Sequence, residues 1–175
     1  ARYYQSPSQD LCCVGITGTN GKTSIAWHIV DLSHRLGVAT GYCGTLGWGE
    51  LDQLQPTQLT TPSAVVLQSY LAAMRAQGAS RVAMEVSSHA LDQGRVSAVQ
   101  FDVAVFSNLS RDHLDYHQTP VAYKEAKAKL FRNWPLAAAV INSNDAVGRE
   151  LLCTSRANEV ISYGTHGDLS WRSET

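Results

Sequence analysis

The chain alternates between short apolar runs and longer segments in which apolar residues recur at helical spacing. Residues 11–17 form an apolar run that is typical of a buried strand. A glycine-rich turn follows, and then apolar positions at 25, 26, 29, 30, 32 and 36 predict a helix over 23–36 that Gly37 ends. Residues 38–43 predict a second strand, and residues 44–60, rich in Gly, Gln and Thr, predict an extended loop.

The same alternation continues to the end of the chain. Thr61-Pro62 and Thr119-Pro120 each supply an N-cap and a first-turn proline, for helices ending near Gly78 and Arg132. A shorter helix is predicted over 145–153, and further strands over 81–86, 101–106, 137–141 and 159–163. Short apolar strands separated by helices predict an α/β fold, with a mostly parallel sheet and helices on both faces.

Length and composition are those of one folded domain. The 175 residues are 44% hydrophobic and 17% charged, which suits a globular protein rather than a disordered or membrane-spanning one. A net charge of −1 argues against nucleic-acid binding, and no apolar stretch reaches membrane length. The cysteines lack the spacing of a zinc site or a disulfide framework, so we expect reduced thiols and a cytoplasmic location; they are Cys12, Cys13, Cys43 and Cys153.

A phosphate-binding loop is the strongest chemical signal. The segment Gly18-Thr19-Asn20-Gly21-Lys22-Thr23-Ser24 follows a predicted strand and opens a predicted helix. Backbone N–H groups of such a loop cradle phosphates, the lysine contacts the terminal phosphates, and the threonine hydroxyl contacts Mg²⁺. Ile16 occupies the position of the usual first glycine, so the loop is a variant. The alternative is a glycine-rich turn with an exposed lysine.

Candidate acidic and basic groups follow downstream. Glu85 ends an apolar strand, where a carboxylate can hold Mg²⁺ in the ligand crevice or can simply face solvent. His113 and His117 stand four residues apart, but no zinc motif accompanies them, and such pairs are more often structural. Three lysines lie on the helix predicted after Pro120, where spacing alone indicates a solvated cationic face; they are Lys124, Lys127 and Lys129.

Taken together, these segments resemble the central domain of the Mur ligase family, and most closely its MurE branch. The similarity runs from about residue 11 to 150. It is carried by Ile16-Thr-Gly-Thr-Asn-Gly-Lys-Thr23, Thr60-Thr-Pro62, Met84-Glu-Val-Ser-Ser-His-Ala-Leu-Asp-Gln-Gly-Arg-Val96, Asn108-Leu-Ser-Arg-Asp-His-Leu-Asp-Tyr-His117 and Tyr123-Lys-Glu-Ala-Lys-Ala-Lys-Leu-Phe131.

The resemblance implies an ATP- and Mg²⁺-dependent ligase of peptidoglycan synthesis. Such an enzyme adds the third amino acid, here expected to be meso-diaminopimelate, to UDP-MurNAc-L-Ala-D-Glu through an acyl phosphate. Residues 18–24 would bind the nucleotide, with Lys22, Glu85, His113 and Lys127 as the catalytic set. The metal ligands would be Thr23, Glu85, His113 and Lys127, the last as a carbamate.

Carbamylation and substrate contacts are also carried over from the resemblance. Lys127 matches the family lysine that CO₂ carbamylates, a reaction that requires the neutral amine, and we expect burial and nearby Lys124 to lower its pKa. The contacts to UDP-MurNAc-dipeptide would be Thr60, Thr61, Ser87, Gln93 and Arg95. Leu59 stands where some members carry Asn, which removes one side-chain contact.

The resemblance covers only part of a ligase. Residues 1–175 would be a truncated central domain, without the N-terminal UDP-binding domain or the C-terminal domain that binds the amino acid. We expect a monomer, inactive as an isolated fragment. Two alternatives stay open: another Mur or folylpolyglutamate-type ligase, and a non-catalytic P-loop module that binds nucleotide and changes conformation.

Overall fold

The computed structural model describes residues 1–110, 112, 114–165 and 171–172. Within these residues the strands are β1 Cys12–Thr17, β2 Thr40–Gly44, β3 Gly47–Gly49, β4 Arg81–Glu85, β5 Val103–Phe106, β6 Ala138–Asn142, β7 Glu159–Gly164 and β8 Trp171–Arg172. The α-helices are α1 Lys22–Arg35, α2 Ala64–Ala76, α3 Ser88–Asp92, α4 Leu114–His117, α5 Pro120–Arg132 and α6 Ala146–Thr154. Two 3-10 turns, Arg2–Tyr4 and Pro7–Gln9, precede β1.

The described strands form one sheet in the order β3-β2-β4-β1-β5-β6-β7-β8. Every neighbouring pair is parallel except β2 and β3, which are antiparallel. Strand β1 lies between β4 and β5, with Ile16 opposite Glu85 and Thr17 opposite Phe106. The carboxyl ends of β1, β4 and β5 therefore meet at one edge of the sheet, where open α/β sheets bind their ligands.

Helices cover both faces, which confirms the predicted fold class. Helix α1 packs Ala26 and Val30 against Ile16 and Ala83 on one face. The other face is covered by α2, α3, α5 and α6, whose buried apolar residues include Leu67, Leu71, Leu91, Phe131 and Leu151. Burying apolar groups on both sides explains why the strands are continuous apolar runs rather than alternating ones.

The prediction of one extended loop over 44–60 was wrong in part. Strand β3 lies inside it and pairs back onto β2, and Trp48 exchanges two backbone hydrogen bonds of 2.9 Å with Gln55. The Trp48 ring also stacks on Tyr70 of α2, with centroids 4.2 Å apart. This segment is therefore ordered partly by its contact with Tyr70 of α2, which the local composition does not indicate.

The predicted start of the second helix was also misplaced. Helix α2 begins at Ala64 after Ser63, and the Thr61 hydroxyl does not cap it. That hydroxyl instead donates to the Glu85 carbonyl oxygen (2.8 Å) and accepts from the Ser87 backbone N–H (3.0 Å). Thr61-Pro62 therefore lies in a turn that is hydrogen-bonded to the end of β4. The short helices α3 and α4 were not predicted.

Two predicted helix starts are confirmed by their caps. The Thr119 hydroxyl accepts from the Ala122 N–H at 3.1 Å at the start of α5. The Asp145 carboxylate accepts from the Val147 N–H at 2.8 Å at the start of α6. Side-chain caps of this kind satisfy N–H groups that have no partner within the helix. None of the helices in the described ranges is long and apolar enough to cross a membrane.

Candidate active site

The loop between β1 and α1 has the backbone geometry of an anion cradle. Gly18 and Gly21 adopt positive φ angles of 147° and 86°, which side chains rarely tolerate. A Cβ on Gly18 would also overlap the Ser107 hydroxyl oxygen. Helix α1 starts directly at Lys22, so its unpaired N–H groups and positive dipole end face the loop.

The segment that follows β5 clamps this loop. The Thr19 N–H donates to the Asn108 carbonyl oxygen at 2.8 Å, and the Asn20 N–H donates to the Asn108 side-chain oxygen at 3.1 Å. The Ser107 hydroxyl donates to the Asn20 carbonyl oxygen at 2.6 Å, and the Ser110 N–H donates to the Thr19 hydroxyl at 3.0 Å. From sequence, this segment was only a polar stretch; its role in shaping the phosphate loop was missed.

Two lysines converge on one carbonyl oxygen of the loop. Lys22 Nζ donates to the Gly18 oxygen at 3.0 Å and to the Thr19 oxygen at 2.8 Å. Lys127 Nζ, from the middle of α5, donates to the same Gly18 oxygen at 2.8 Å. The structure therefore selects Lys127 among the three lysines of its helix and brings it to the phosphate loop.

Burial and, to a smaller extent, the positive charge of Lys22 lower the pKa of Lys127 to about 7, while the charge of Asp112 acts in the opposite direction. The side chain is 1% exposed, although lysine is rarely buried. The expectation that Lys124 would lower this pKa was wrong. Lys124 instead lies 2.9 Å from a Glu150 oxygen on α6, because helical spacing turns it away from the sheet.

Tyr123 joins α5 to the loop one turn before Lys127. Its hydroxyl lies 3.1 Å from the Thr19 hydroxyl, and the Lys127 Nζ sits 4.6 Å from the centre of its ring. A ring face at this distance attracts an ammonium group and excludes water from it. The loop is thus bound to α5 through both residues.

Glu85 lies beside the loop at the end of β4, 1% exposed. Its carboxylate accepts hydrogen bonds from Tyr42, which lies in β2, and from Thr45, which directly follows β2. Neither residue was predicted to belong to the site. Its negative charge raises the pKa of Lys22, although burial has the larger, opposite effect and leaves that pKa below its ordinary value. The predicted acid and the predicted loop lysine therefore share one site.

The residues predicted to contact substrate lie together beyond Glu85. Arg95 donates through Nη1 to the Thr61 carbonyl oxygen at 3.0 Å and through Nε to the Gln93 side-chain oxygen at 2.8 Å. Ser87 caps α3, accepting from the Ala90 N–H at 3.2 Å, and donates its own backbone N–H to Thr61. Thr60 places its hydroxyl 3.0 Å from that of Thr45.

The remaining predicted residues divide into two groups. Thr23 and Ser24 lie in the first turn of α1, half-buried and exposed respectively, directly beside the loop. His113 lies outside the described residues. His117 is buried, with its ring 5.3 Å from that of Tyr123.

The site fits a magnesium-bound nucleoside triphosphate by its own chemistry. The loop offers backbone N–H groups and Lys22 for phosphate oxygens, while Glu85 and Thr23 offer the oxygen ligands that Mg²⁺ prefers. At the end of β1 the Thr17 hydroxyl is fully buried, and no hydrogen-bond partner for it lies among the described residues. A buried hydroxyl without a partner is costly, so a ligand at this edge would stabilise it.

Comparisons of sequence identify a protein family and several relatives. A model of the Mur ligase middle domain matches residues 16–174. A UDP-N-acetylmuramoyl-L-alanyl-D-glutamate–2,6-diaminopimelate ligase of Xylella fastidiosa (strain Temecula1 / ATCC 700964) is 56% identical over 151 residues, 86% of this chain and 30% of that protein. The ligase of the same name from Ectopseudomonas mendocina (strain ymp) is 52% identical over 163 residues, 93% of this chain and 33% of that protein.

Comparisons of structure find the same fold in solved proteins. A solved structure of a ligase with the same name superposes with a TM-score of 0.85 at 39% identity, covering 93% of this chain and 34% of that one. Mycobacterium tuberculosis folylpolyglutamate synthase, complexed with ADP and AMPPCP, superposes with a TM-score of 0.69 at 20% identity over 93% of this chain and 45% of that one, which shows a shared fold alone. The chain spans about a third of the length of its curated relatives. With its middle-domain model matched almost end to end, the chain belongs to the Mur ligase family.

Proposed function

We propose that this chain is the central, ATP-binding domain of a cytoplasmic ligase that adds meso-diaminopimelate to UDP-MurNAc-L-Ala-D-Glu. In this proposal, separate N- and C-terminal domains of the same polypeptide hold the uridine nucleotide and the incoming amino acid. The names of relatives 52–56% identical to the chain support the choice of substrates. Phosphate from ATP activates the substrate carboxylate as an acyl phosphate, and the amine of the amino acid then displaces the phosphate.

The convergence of Lys22 and Lys127 on the Gly18 carbonyl oxygen carries the proposal. A phosphate loop alone needs only Lys22. A second, buried lysine is a costly way to join α5 to the loop, because a buried ammonium costs far more than an apolar side chain of similar size. Its position is explained if the amine serves as a site of reaction with CO₂.

Carbamylation changes the character of this position. The Lys127 ammonium first loses one proton to solvent. The neutral amine then attacks the carbon of CO₂, a C–N bond forms as one C=O π bond opens onto oxygen, and the nitrogen releases a second proton. The product is an anion with two oxygen ligands where a cation stood before, which removes the repulsion from Lys22. Together with Thr23, Glu85 and His113, it would hold the Mg²⁺ that neutralises charge between ATP and the attacking carboxylate.

The chain's own groups then position the reactants. When nucleotide binds, Lys22 leaves the carbonyl oxygens of Gly18 and Thr19 and donates to the terminal phosphates instead. The backbone N–H groups of residues 18–23 hold the phosphate chain. The acceptor substrate is contacted by five polar side chains beyond Glu85, namely Thr60, Thr61, Ser87, Gln93 and Arg95. Bringing two anions together is the main barrier, so fixed cations and orientation supply most of the catalysis.

A ligation assay with the full-length enzyme tests this function. ADP release is measured with UDP-MurNAc-dipeptide or with a folate as acceptor, for the wild type and for Lys127→Ala, each with and without bicarbonate. The proposal expects turnover with the UDP-sugar peptide only, stimulation of the wild type by bicarbonate, and loss of both in the variant. Turnover with folate would reassign the substrate, and full activity of Lys127→Ala would remove the carbamate.

A further inference from the structure

The Glu85 carboxylate is held by three donors from β2 and the turn after it. The Tyr42 hydroxyl donates to Oε1 at 2.5 Å, and the Thr45 backbone N–H donates to the same oxygen at 2.9 Å. The Thr45 hydroxyl donates to Oε2 at 3.2 Å. Three donors on one carboxyl group fit its ionised form, which only accepts hydrogen bonds.

The close approach of this turn depends on Gly44. A Cβ at this position would collide with Glu85 Oε1 and with the Tyr42 hydroxyl oxygen. Tyr42 is fully buried, so its ring cannot move aside without opening the core. The Tyr42-Gly44-Thr45 corner is therefore shaped around the carboxylate, and we refer to these three residues as the glutamate cradle.

The cradle leaves one oxygen of Glu85 less occupied than the other. From the residues that the structure describes, Oε1 accepts two hydrogen bonds and Oε2 accepts one, whereas each carboxylate oxygen offers about two lone pairs. The remaining capacity lies on Oε2. A rigidly held carboxylate with a free lone pair binds a cation without paying the rotamer entropy that a mobile glutamate would lose.

The cradle also reaches the acceptor side of the site through a chain of hydroxyls. The Thr60 and Thr45 hydroxyl oxygens lie 3.0 Å apart. Because Thr45 gives its single proton to Glu85, the proton in this contact must come from Thr60. The Thr60 oxygen is left with lone pairs, so it can only accept from the next group in the chain.

We infer that Tyr42 and Thr45 are positioning residues for Glu85, and that the hydroxyl chain Thr60–Thr45–Glu85 couples acceptor-substrate binding to Mg²⁺ binding. Thr60 consequently recognises an N–H or O–H donor of the substrate, such as a peptide amide or a sugar hydroxyl, and not a carbonyl or carboxylate oxygen. The inference rests on the proposed function, since it takes Glu85 as a metal ligand and Thr60 as a substrate contact.

Isosteric variants of the full-length ligase separate these roles. Tyr42→Phe and Thr45→Val each remove one hydroxyl, Thr45→Ser restores one, and Glu85→Gln tests the metal ligand itself. Tyr70→Phe and Thr154→Val remove hydroxyls from α2 and α6, away from the cradle, and serve as controls. Two quantities are measured: Mn²⁺ binding with a non-hydrolysable ATP analogue by electron paramagnetic resonance, and the KM for UDP-MurNAc-dipeptide.

The inference expects Tyr42→Phe to weaken Mn²⁺ binding about tenfold with little change in KM, as for one lost hydrogen bond to a charged group. Thr45→Val is expected to weaken both Mn²⁺ binding and substrate affinity, and Thr45→Ser to recover both. If Glu85→Gln loses Mn²⁺ while Tyr42→Phe and Thr45→Val match the controls, the cradle has no positioning role, and the proposed function stands. If Glu85→Gln retains Mn²⁺ binding, Glu85 is not a metal ligand, and both that assignment and the inference are wrong.

Discussion

Lys22 and Lys127 donate to the same acceptor, the Gly18 carbonyl oxygen, at 3.0 and 2.8 Å. Two ammonium groups on one oxygen repel each other, so the arrangement favours any event that removes one positive charge or moves one lysine away. Carbamylation of Lys127 does the first, and phosphate binding by Lys22 does the second. Because both events relieve the same repulsion, each one reduces the driving force that this repulsion gives to the other.

The lowered pKa of Lys127 predicts carbamylation near neutral pH. CO₂ reacts with the neutral amine, and the neutral fraction rises as pH increases through the folded-state pKa of about 7, whereas an ordinary lysine would stay protonated to about pH 10. With ¹³C-labelled CO₂, the carbamate signal of the nucleotide-free enzyme is expected to grow between about pH 6 and 8. A signal that appears only above pH 9 would show that the amine is not perturbed.

The source of that perturbation predicts different effects for two neighbouring lysines. Lys22→Met removes the charge that lowers the Lys127 pKa, so the carbamylation midpoint should move to higher pH, although burial remains the larger cause. Lys124→Met should leave the midpoint unchanged, because Lys124 is paired with Glu150. The same ¹³C titration measures both variants, and equal shifts would contradict the arrangement described.

The geometry of the phosphate loop predicts that Gly18 tolerates no side chain. Gly18→Ala combines a positive φ with overlap of the Ser107 hydroxyl, so nucleotide affinity should fall by at least about tenfold, since the loop amides lose their alignment. Gly37→Ala is the matched control: its φ is also positive, but nothing lies within 4 Å of the added Cβ. Calorimetry measures the affinity of both variants for an ATP analogue. If Gly18→Ala binds the analogue as tightly as Gly37→Ala does, the overlap with Ser107 has no effect on nucleotide binding.

The hydrogen bonds of Asp145 predict that this residue stabilises the first turn of α6. Its carboxylate caps α6 and also accepts from the Leu109 N–H at 2.8 Å, which anchors the segment that clamps the phosphate loop. Asp145→Ala should therefore speed amide hydrogen exchange in the first turn of α6 about five- to tenfold, as for a cap worth about 1 kcal/mol. Ser155→Ala, at the other end of the helix, is the control and should leave these amides unaffected.

The sequence predicted those parts of the fold that depend on local pattern. Apolar runs marked the central strands, and the cap at Thr119 was placed correctly because a cap bonds to residues two or three positions away. The start of α6 was also placed correctly, although its cap, Asp145, was not predicted. Thr61 carries the same kind of signature, yet its hydroxyl bonds to Glu85 and Ser87, residues that only the sheet brings near. Strand β3 was missed because its order comes from pairing with β2 and from stacking on Tyr70.

The residues of the candidate site also divide into those that local sequence predicts and those that only the fold brings together. Residues 18–24 were predicted from their own spacing, whereas Lys127 was selected by resemblance alone, because helical position does not distinguish it from Lys124. The structure supplies the missing physical reason, since Lys127 is the one lysine of α5 that reaches the Gly18 carbonyl oxygen, whereas Lys124 and Lys129 bond to Glu150 and Asp92. Tyr42 and Thr45 could have been suspected as polar residues near the end of an apolar strand, but their partner lies 40 or more positions away.

Transfer of oxygen from substrate to phosphate tests the central claim most directly. The full-length ligase is given ATP, diaminopimelate and UDP-MurNAc-dipeptide labelled with ¹⁸O in the terminal carboxylate, and the inorganic phosphate is analysed by mass spectrometry. Activation of the carboxylate as an acyl phosphate predicts one ¹⁸O atom in each phosphate released. Phosphate free of ¹⁸O, formed at the same rate as ADP, would contradict the ligase mechanism.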